Sequence, residues 1–212
     1  MTIQPIRFAI QSSGRLRTDS LSFVTELGVD LPLNNNRSLV LRARTMPVEV
    51  IFLRHSDIPR YVASGDIDYA IVGDNVLYEQ SSKVIKLQSL NFGHCNLVIA
   101  VPQYSLIKRI SDLTDQRIAT AYPRSLEKFL SDNNITASVI PIRGSVEATP
   151  QLNLADAICD LTQTGTTLRL HRLEPLQVIF SSQAVLIQSP IYLPSPLDPI
   201  AKFLQHQYVA TR

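Results

Sequence analysis

The stretch ADAICDLTQTGTTL, residues 155–168, decides how the fold is interpreted. Its first half alternates like a strand over 155–161, a loop of Thr and Gly follows, and residues 168–173 are predicted to start a helix. A strand that passes through small residues into a helix presents unpaired backbone N–H groups and the positive end of the helix dipole. The stretch therefore predicts an anion site after a strand.

The side chains of this stretch favour a sugar phosphate as the anion. Asp160 repels phosphate, so its carboxylate suits a sugar diol or a group that carries Mg²⁺. Neither common Gly-rich nucleotide motif occurs in the chain. A threonine-rich helix cap without a ligand is the alternative interpretation. The predicted phosphate donors are Thr162, Thr164, Gly165, Thr166 and Thr167.

Strand-like and helix-like segments alternate along the rest of the chain, which predicts an α/β fold with mainly parallel sheets. Helices are expected before Gly28 and Gly65, where glycine can end them, and over 125–130 and 200–208. Segments 90–93 and 172–177 could be crossings between two lobes. The further predicted strands are 6–10, 48–53, 69–72, 83–90, 95–101, 117–121, 136–142 and 177–187.

Composition excludes several classes of protein. The 212 residues are 45% hydrophobic and 18% charged, with a formal net charge of +2, which is typical of a globular domain and gives no nucleic-acid track. No signal peptide or membrane-length apolar run is seen, so a cytoplasmic protein is expected. Cys95 and Cys159 are predicted to be buried free thiols, and the four histidines lack metal-ligand spacing.

Basic residues alternate with apolar ones between positions 37 and 54. This pattern suggests a small anionic ligand, although a solvated face is also possible. The residues concerned are Arg37, Arg42, Arg44 and Arg54.

The run GSVEATPQLNLADAICDLTQTGTTL, residues 144–168, resembles the signature of the ATP phosphoribosyltransferases, which begin histidine biosynthesis. Shorter matches in the same order include SGRL at 13–16, DIP at 57–59 and FG at 92–93. The resemblance implies two lobes like those of a periplasmic binding protein, with a ligand cleft between them. Lobe I, on the ATP side, is expected to span 1–92 plus 177–212, and lobe II, on the phosphoribosyl pyrophosphate side, 93–176.

The resemblance also implies the chemistry. A 5-phosphoribosyl group passes from phosphoribosyl pyrophosphate to N1 of the adenine of ATP, and pyrophosphate leaves with Mg²⁺ carried by the substrate phosphates. Arg15, Arg37 and Glu147 are the implied catalytic residues. Asp160, the loop residues named above, Arg54 and Asp74 are the implied substrate-binding residues, and no side chain is assigned as a metal ligand.

The length resembles that of the short form of the family, which lacks a C-terminal histidine-sensing domain. Such subunits assemble with a regulatory protein similar to histidyl-tRNA synthetase, so an oligomer is expected, while a truncated long form stays open. Two positions depart from the family pattern, Asn153 where glycine is frequent and Ala121 where a polar residue is frequent. The alternative function is a non-catalytic, two-lobed module that binds a small anion.

Overall fold

The computed structural model describes residues 4–32, 38–196 and 198–210, with side chains as far as residue 205. The chain forms two compact units. Unit 1 contains Met1–Leu77, Ser81–Gly93 and Ala184–Arg212, and unit 2 contains Tyr78–Gln80 and His94–Gln183. The α/β class is therefore confirmed, with two units that each have their own sheet.

The strands are β1 (Ile6–Gln11), β2 (Val40–Arg42), β3 (Val48–Leu53), β4 (Tyr69–Gly73), β5 (Ile85–Ser89), β6 (Cys95–Pro102), β7 (Arg117–Thr120), β8 (Ser138–Pro141), β9 (Ala157–Thr162), β10 (Leu173–Ser182) and β11 (Ala184–Gln188). The helices are α1 (Arg17–Glu26), α2 (Ile58–Ser64), α3 (Asp74–Gln80), α4 (Pro123–Asp132), α5 (Thr166–Leu170) and α6 (Pro199–Ala210). Short 3₁₀ turns cover Ile110–Leu113 and Val146–Ala148.

The sheet of unit 1 has the strand order β2-β3-β1-β4-β11-β5. Strand β1 is parallel to both β3 and β4, whereas β2, β11 and β5 pair antiparallel with their neighbours. Its central strand β4 is buried along its whole length, because every residue is apolar or glycine and both faces are covered.

The sheet of unit 2 has the order β10-β6-β9-β7-β8. Strands β8, β7 and β9 are parallel, while β6 and β10 are antiparallel to their neighbours. The expectation of mainly parallel sheets is thus wrong for both units. Among the described strands, β2 and β3 are joined by a direct turn, whereas the other antiparallel pairs join strands that lie far apart in the sequence, and local periodicity does not distinguish antiparallel from parallel strands.

The predicted strand 177–187 is two strands that belong to different sheets. Strand β10 begins at Leu173 and pairs with β6, whereas β11 pairs with β4 and β5. The chain returns to unit 1 at Ala184, later than the expected boundary at 176/177, because 177–182 continue β10. The sequence does not reveal this transfer between sheets, because apolar, β-rich residues continue on both sides of Ser181, Ser182 and Gln183.

The predicted helix over 168–173 begins earlier and is shorter. Helix α5 starts at Thr166 after Gly165, whose φ of 73° lies in the left-handed region, and Leu173 already starts β10. Strand β2 and helix α3 were not predicted, since β2 has three residues and α3 follows β4 without a linker.

Helix α6 is attached to unit 1 through the fully buried carboxylate of Asp198. This carboxylate accepts hydrogen bonds from the hydroxyls of Tyr69 (2.9 Å) and Tyr192 (3.0 Å). It also accepts the backbone N–H groups of Ile200 (2.8 Å) and Ala201 (3.2 Å), as an N-cap does. Burial, followed by the charge of Asp198, raises the pKa of both tyrosines, so the phenols stay neutral donors.

The predicted thiols Cys95 and Cys159 are free and buried, as expected. Burial raises the pKa of Cys159 to about 12, which keeps this thiol neutral. Among the described residues no helix is both long and apolar enough to span a bilayer.

Candidate active site

The loop after β9 in unit 2 is closed by its own threonines. The N–H of Gly165 donates to Oγ1 of Thr162 (2.9 Å), and the hydroxyls of Thr164 and Thr166 are 2.9 Å apart. The left-handed conformation of Gly165 turns the chain into α5. Strand, loop and helix start are thus arranged as the sequence predicts, although the helix has only five residues.

Asp160 lies in β9, two residues before this loop, and is partly buried. One carboxylate oxygen accepts the N–H of Leu161 at 2.7 Å. Burial, and then the negative charge of Glu147, raises the pKa of Asp160 to about 6. A carboxylate held in an environment that disfavours its charge is typical of a functional group rather than a structural one.

Glu147 lies in the 3₁₀ turn Val146–Ala148. The turn follows two left-handed residues, Gly144 (φ 88°) and Ser145 (φ 47°), and the hydroxyl of Thr149 donates to the carbonyl of Val146 at 2.8 Å. Because its charge acts on Asp160, Glu147 belongs to the same cluster in unit 2. The structure therefore brings together Glu147, Asp160 and the predicted loop.

Thr120, at the end of β7, supports this cluster and was not predicted. Its buried hydroxyl donates to the carbonyl of Cys159 (2.7 Å) and accepts the N–H of Tyr122 (2.8 Å). These bonds tie the end of β7 to the residue that precedes Asp160. Ala121 stands where the resemblance led us to expect a polar residue. It directly follows the threonine that supports the end of β7.

The turn before β9 is fixed by an ion pair. The guanidinium of Arg117 donates to both carboxylate oxygens of Asp156, at 2.8 and 3.0 Å, and to the carbonyl of Asn153 at 3.0 Å. These hydrogen bonds lower the pKa of Asp156. Asn153 has φ 56°, so its left-handed conformation agrees with the expectation that Asn replaces Gly there.

In unit 1, Arg15 lies in the turn between β1 and α1. Its Nη1 donates to the carbonyl of Gly93, and a Cβ on Gly73 would lie 3.6 Å from its Nη2. Burial, and then the charge of Arg15, lowers the pKa of His55. Arg15 is therefore a partly buried cation at the carboxyl ends of the parallel strands β1 and β4, the edge where ligands bind in open α/β sheets.

Arg54 and Asp74 reach the same edge of this sheet by following β3 and β4. Arg54 is exposed immediately after β3, whereas Asp74 starts α3 and forms an ion pair with Lys86 at 2.7 Å. The third predicted arginine of this region, Arg37, lies outside the described residues.

The other arginines near position 40 pair with acidic residues, which favours the alternative interpretation of a solvated face over an anion-binding cluster. Arg42 pairs with Glu49 at 2.9 Å and Arg44 with Asp30 at 3.3 Å. Both arginines are exposed, so this is the solvated face that the alternating pattern also allowed.

Sequence reasoning also missed Arg169. Its guanidinium contacts the carbonyl of Thr164 and the hydroxyl of Thr166, both at 3.2 Å. A separation of three residues from Thr166 places the two on one helix face, and this spacing is the signal that could have identified it. Within the described ranges no cluster of three or more His, Cys, Asp or Glu side chains is placed to hold a metal ion.

Comparison with known proteins identifies the family of this chain. A profile of the ATP phosphoribosyltransferase (HisG) family matches residues 54–206. ATP phosphoribosyltransferases of Cytophaga hutchinsonii and Azobacteroides pseudotrichonymphae are 42% and 37% identical over 185 and 184 residues, which is 87% of this chain in each case. The chain spans 64% and 65% of the length of these relatives.

Solved structures share the fold. The ATP phosphoribosyl transferase (HisG:HisZ) complex from Thermotoga maritima contains a chain that is 24% identical, with a TM-score of 0.79 over 98% of this chain and 100% of that one. The alkanesulfonate-binding protein SsuA from Xanthomonas axonopodis pv. citri, bound to MOPS, is 14% identical, with a TM-score of 0.60 over 99% and 73%. The second likeness agrees with the expected similarity to periplasmic binding proteins.

The family profile covers most of the chain and includes the segment that contains Glu147, Asp160 and the Thr/Gly loop. This chain therefore belongs to the ATP phosphoribosyltransferase family.

Proposed function

We propose that this chain catalyses the ATP phosphoribosyltransferase reaction, a glycosyl transfer that begins histidine biosynthesis. The observation that carries the proposal is Asp160, a partly buried carboxylate with a raised pKa two residues before a Thr/Gly loop. A purely structural residue at this position gains nothing from carrying a charge that its surroundings disfavour.

Phosphoribosyl pyrophosphate is the proposed ligand of unit 2. The hydroxyls of Thr164, Thr166 and Thr167 and the backbone N–H groups of the loop donate to the 5′-phosphate. Asp160 accepts hydrogen bonds from the ribose hydroxyls, and Glu147, whose charge acts on Asp160, lies toward the ribose or pyrophosphate. The carboxylates thereby select the sugar, and the loop selects the phosphate.

ATP is the proposed ligand of unit 1. Arg15 and Arg54 follow the carboxyl ends of β1 and β3 and supply positive charge for phosphate groups. Arg37 keeps its proposed catalytic role on the resemblance alone. Asp74 is assigned to substrate binding with its ion pair to Lys86 in place, so it presents a partly neutralised carboxylate.

In the proposed reaction, N1 of the adenine forms a bond to C1′ of the phosphoribosyl group. The C1′–O bond to pyrophosphate breaks, and the bonding electrons leave with pyrophosphate. Unit 2 holds the phosphoribosyl donor and unit 1 holds ATP, and most of the rate enhancement is expected from positioning of the reactants and from offsetting of the developing charge.

Mg²⁺ is the proposed cofactor, and its ligands are the phosphates of the substrates rather than a protein cage. Mg²⁺ commonly binds through substrate phosphates with few protein ligands. When bound there, the ion neutralises charge on the departing pyrophosphate.

A regulatory subunit resembling histidyl-tRNA synthetase is the proposed partner, within an oligomer. The solved relative from Thermotoga maritima is itself a HisG:HisZ complex, which supports this proposal. A cytoplasmic location follows from the proposed pathway, because it consumes ATP and phosphoribosyl pyrophosphate.

The test is to mix the purified chain with ATP, phosphoribosyl pyrophosphate and Mg²⁺, with and without the regulatory partner. Pyrophosphate release and formation of phosphoribosyl-ATP are followed together, and omission of ATP is the control for simple hydrolysis. We expect equal amounts of both products. A folded protein that binds the anions but forms no product under either condition would instead be a non-catalytic anion-binding module.

A further inference from the structure

The side chain of Arg169 folds back over the loop from which its own helix starts. Arg169 lies in the last turn of α5, yet its Nη1 donates to the carbonyl of Thr164 and its Nη2 to the hydroxyl of Thr166, both at 3.2 Å. A Cβ on Gly165 would lie 3.4 Å from Nη1. The planar guanidinium thus covers the backbone of the loop with two simultaneous hydrogen bonds.

No acidic side chain among the described residues forms an ion pair with Arg169. Three other cations of unit 2, Arg109, Arg117 and Lys128, pair with Asp112, Asp156 and Asp132, whereas Arg124, Arg143 and Arg172, like Arg169, form no ion pair within the described residues. At the start of α5, the guanidinium adds charge where the backbone N–H groups are already positive. Arg169 is exposed, so water solvates this charge in the free protein, and an anion bound at the loop would interact with both the guanidinium and the N–H groups.

The loop retains donors for such an anion. Within the part of the chain that the structure describes, the N–H groups of Thr164 and Thr167 donate no hydrogen bond, and the hydroxyl of Thr167 is likewise unused. The two bonds from Arg169 fix a carbonyl and a hydroxyl that could otherwise rotate into the site. The remaining donors are therefore held in one arrangement before a ligand arrives.

We propose that Arg169 is a positioning residue for the phosphoribosyl donor: it fixes the loop between Thr164 and Thr166 and supplies the charge that offsets the 5′-phosphate. This inference rests on the proposed function of the loop as the phosphate site. It assigns Arg169 to binding of the donor and not to bond formation or to binding of ATP.

Two variants separate its charge from its geometry. Arg169→Gln removes the charge but keeps a hydrogen-bond donor, and Arg169→Lys keeps the charge but loses the planar fork. Lys128→Gln is the matched control, because it removes one exposed cation of unit 2 that lies on α4 and not at the loop. Thermal unfolding of each variant without ligand reports any general effect on the fold.

Steady-state kinetics measure the KM for phosphoribosyl pyrophosphate, the KM for ATP and kcat. We expect Arg169→Gln to raise the donor KM on the order of tenfold, with kcat and the ATP KM within about twofold of wild type. The donor KM of Arg169→Lys should lie between those of the wild type and Arg169→Gln. The donor KM should also depend less on salt in Arg169→Gln, since one interacting charge has been lost. A donor KM and salt dependence equal to those of Lys128→Gln would overturn the inference.

A binding experiment gives a result that does not depend on turnover. Ribose 5-phosphate, titrated into the wild-type protein by calorimetry, should bind, and Arg169→Gln should weaken this binding by about the same factor as the donor KM. If ribose 5-phosphate binds equally well to both proteins, the assignment of Arg169 is wrong. If it binds with the expected difference but no phosphoribosyl-ATP forms, the proposed reaction fails while the role of Arg169 stands.

Discussion

At the scale of single residues, Asp160 combines a cost to stability with a benefit to binding. Its pKa is raised to about 6, so at neutral pH the folded protein holds an ionised carboxylate that its surroundings disfavour. The folded state binds this proton more tightly than the unfolded state, whose aspartates titrate near 3.9. This tighter proton binding stabilises the folded state fully at pH values below the unfolded pKa, and the stabilisation is lost as the pH rises through about 6.

Asp160→Asn should therefore stabilise the protein at pH 7.5, by up to about 3 kcal/mol, while it weakens donor binding. Asparagine can still accept the N–H of Leu161, so the fold keeps that bond. The gain in the free energy of unfolding should shrink as the pH falls from 7.5 to 4.5, as chemical denaturation at several pH values would show. A variant that is less stable at pH 7.5, or that has an unchanged donor KM, would contradict this assignment.

At the scale of elements, the attachment of α6 depends on one buried carboxylate. Removing the side chain of Asp198 leaves two tyrosine hydroxyls and the first N–H groups of the helix without their acceptor. We expect Asp198→Ala to lower the free energy of unfolding by about 2–4 kcal/mol. Asp132→Ala, which breaks only an exposed i,i+4 pair with Lys128, should cost about 0.5 kcal/mol or less in the same denaturation experiment.

The elements also show how far the sequence can predict this fold. Short apolar and β-rich runs predicted the central strands, and Gly65 was correctly placed at the end of α2, because these signals are local. The division between β10 and β11 could not be predicted, since Gln183 carries no turn signal inside a long β-rich run. Strand direction was also missed, because a strand that returns antiparallel is determined by distant partners.

The candidate site was predictable to a similar extent. Its loop, Asp160 and Glu147 were found because their residue types and order carry the chemistry. The burial that raises the pKa of Asp160 and the support from Thr120 depend on packing between β7 and β9, which the sequence does not encode locally. The pairing of Arg42 and Arg44 with acids likewise depends on residues that lie apart in sequence.

At the scale of the whole molecule, residues 94–183 leave and rejoin unit 1 at neighbouring positions. Ala184 exchanges hydrogen bonds with the backbone of Leu90 and Phe92, both at 2.9 Å. Within unit 2, Cys95 is paired with Ser182 in the ladder between β6 and β10. The two ends of the intervening segment are thus held together within unit 1 and again within unit 2.

The segment 94–183 should fold when expressed alone, because it contains a complete five-stranded sheet and its own hydrophobic core. Its stability should be reduced by the loss of Glu79, whose carboxylate accepts the N–H groups of Arg124 and Ser125, both at 2.9 Å, at the start of α4. We expect cooperative thermal unfolding and retained binding of ribose 5-phosphate. Non-cooperative unfolding would show that the segment requires residues outside 94–183.

The chain leaves and rejoins unit 1 at neighbouring positions, and this makes it suitable for rearrangement of its connectivity. Because the ends of segment 94–183 are adjacent, a short linker between them and new termini elsewhere would give a circular permutant with few lost contacts. The same geometry is that of a domain inserted into a host, which tolerates exchange when entry and exit points coincide. Unit 2 could therefore be replaced by a homologous unit without re-engineering the sheet of unit 1.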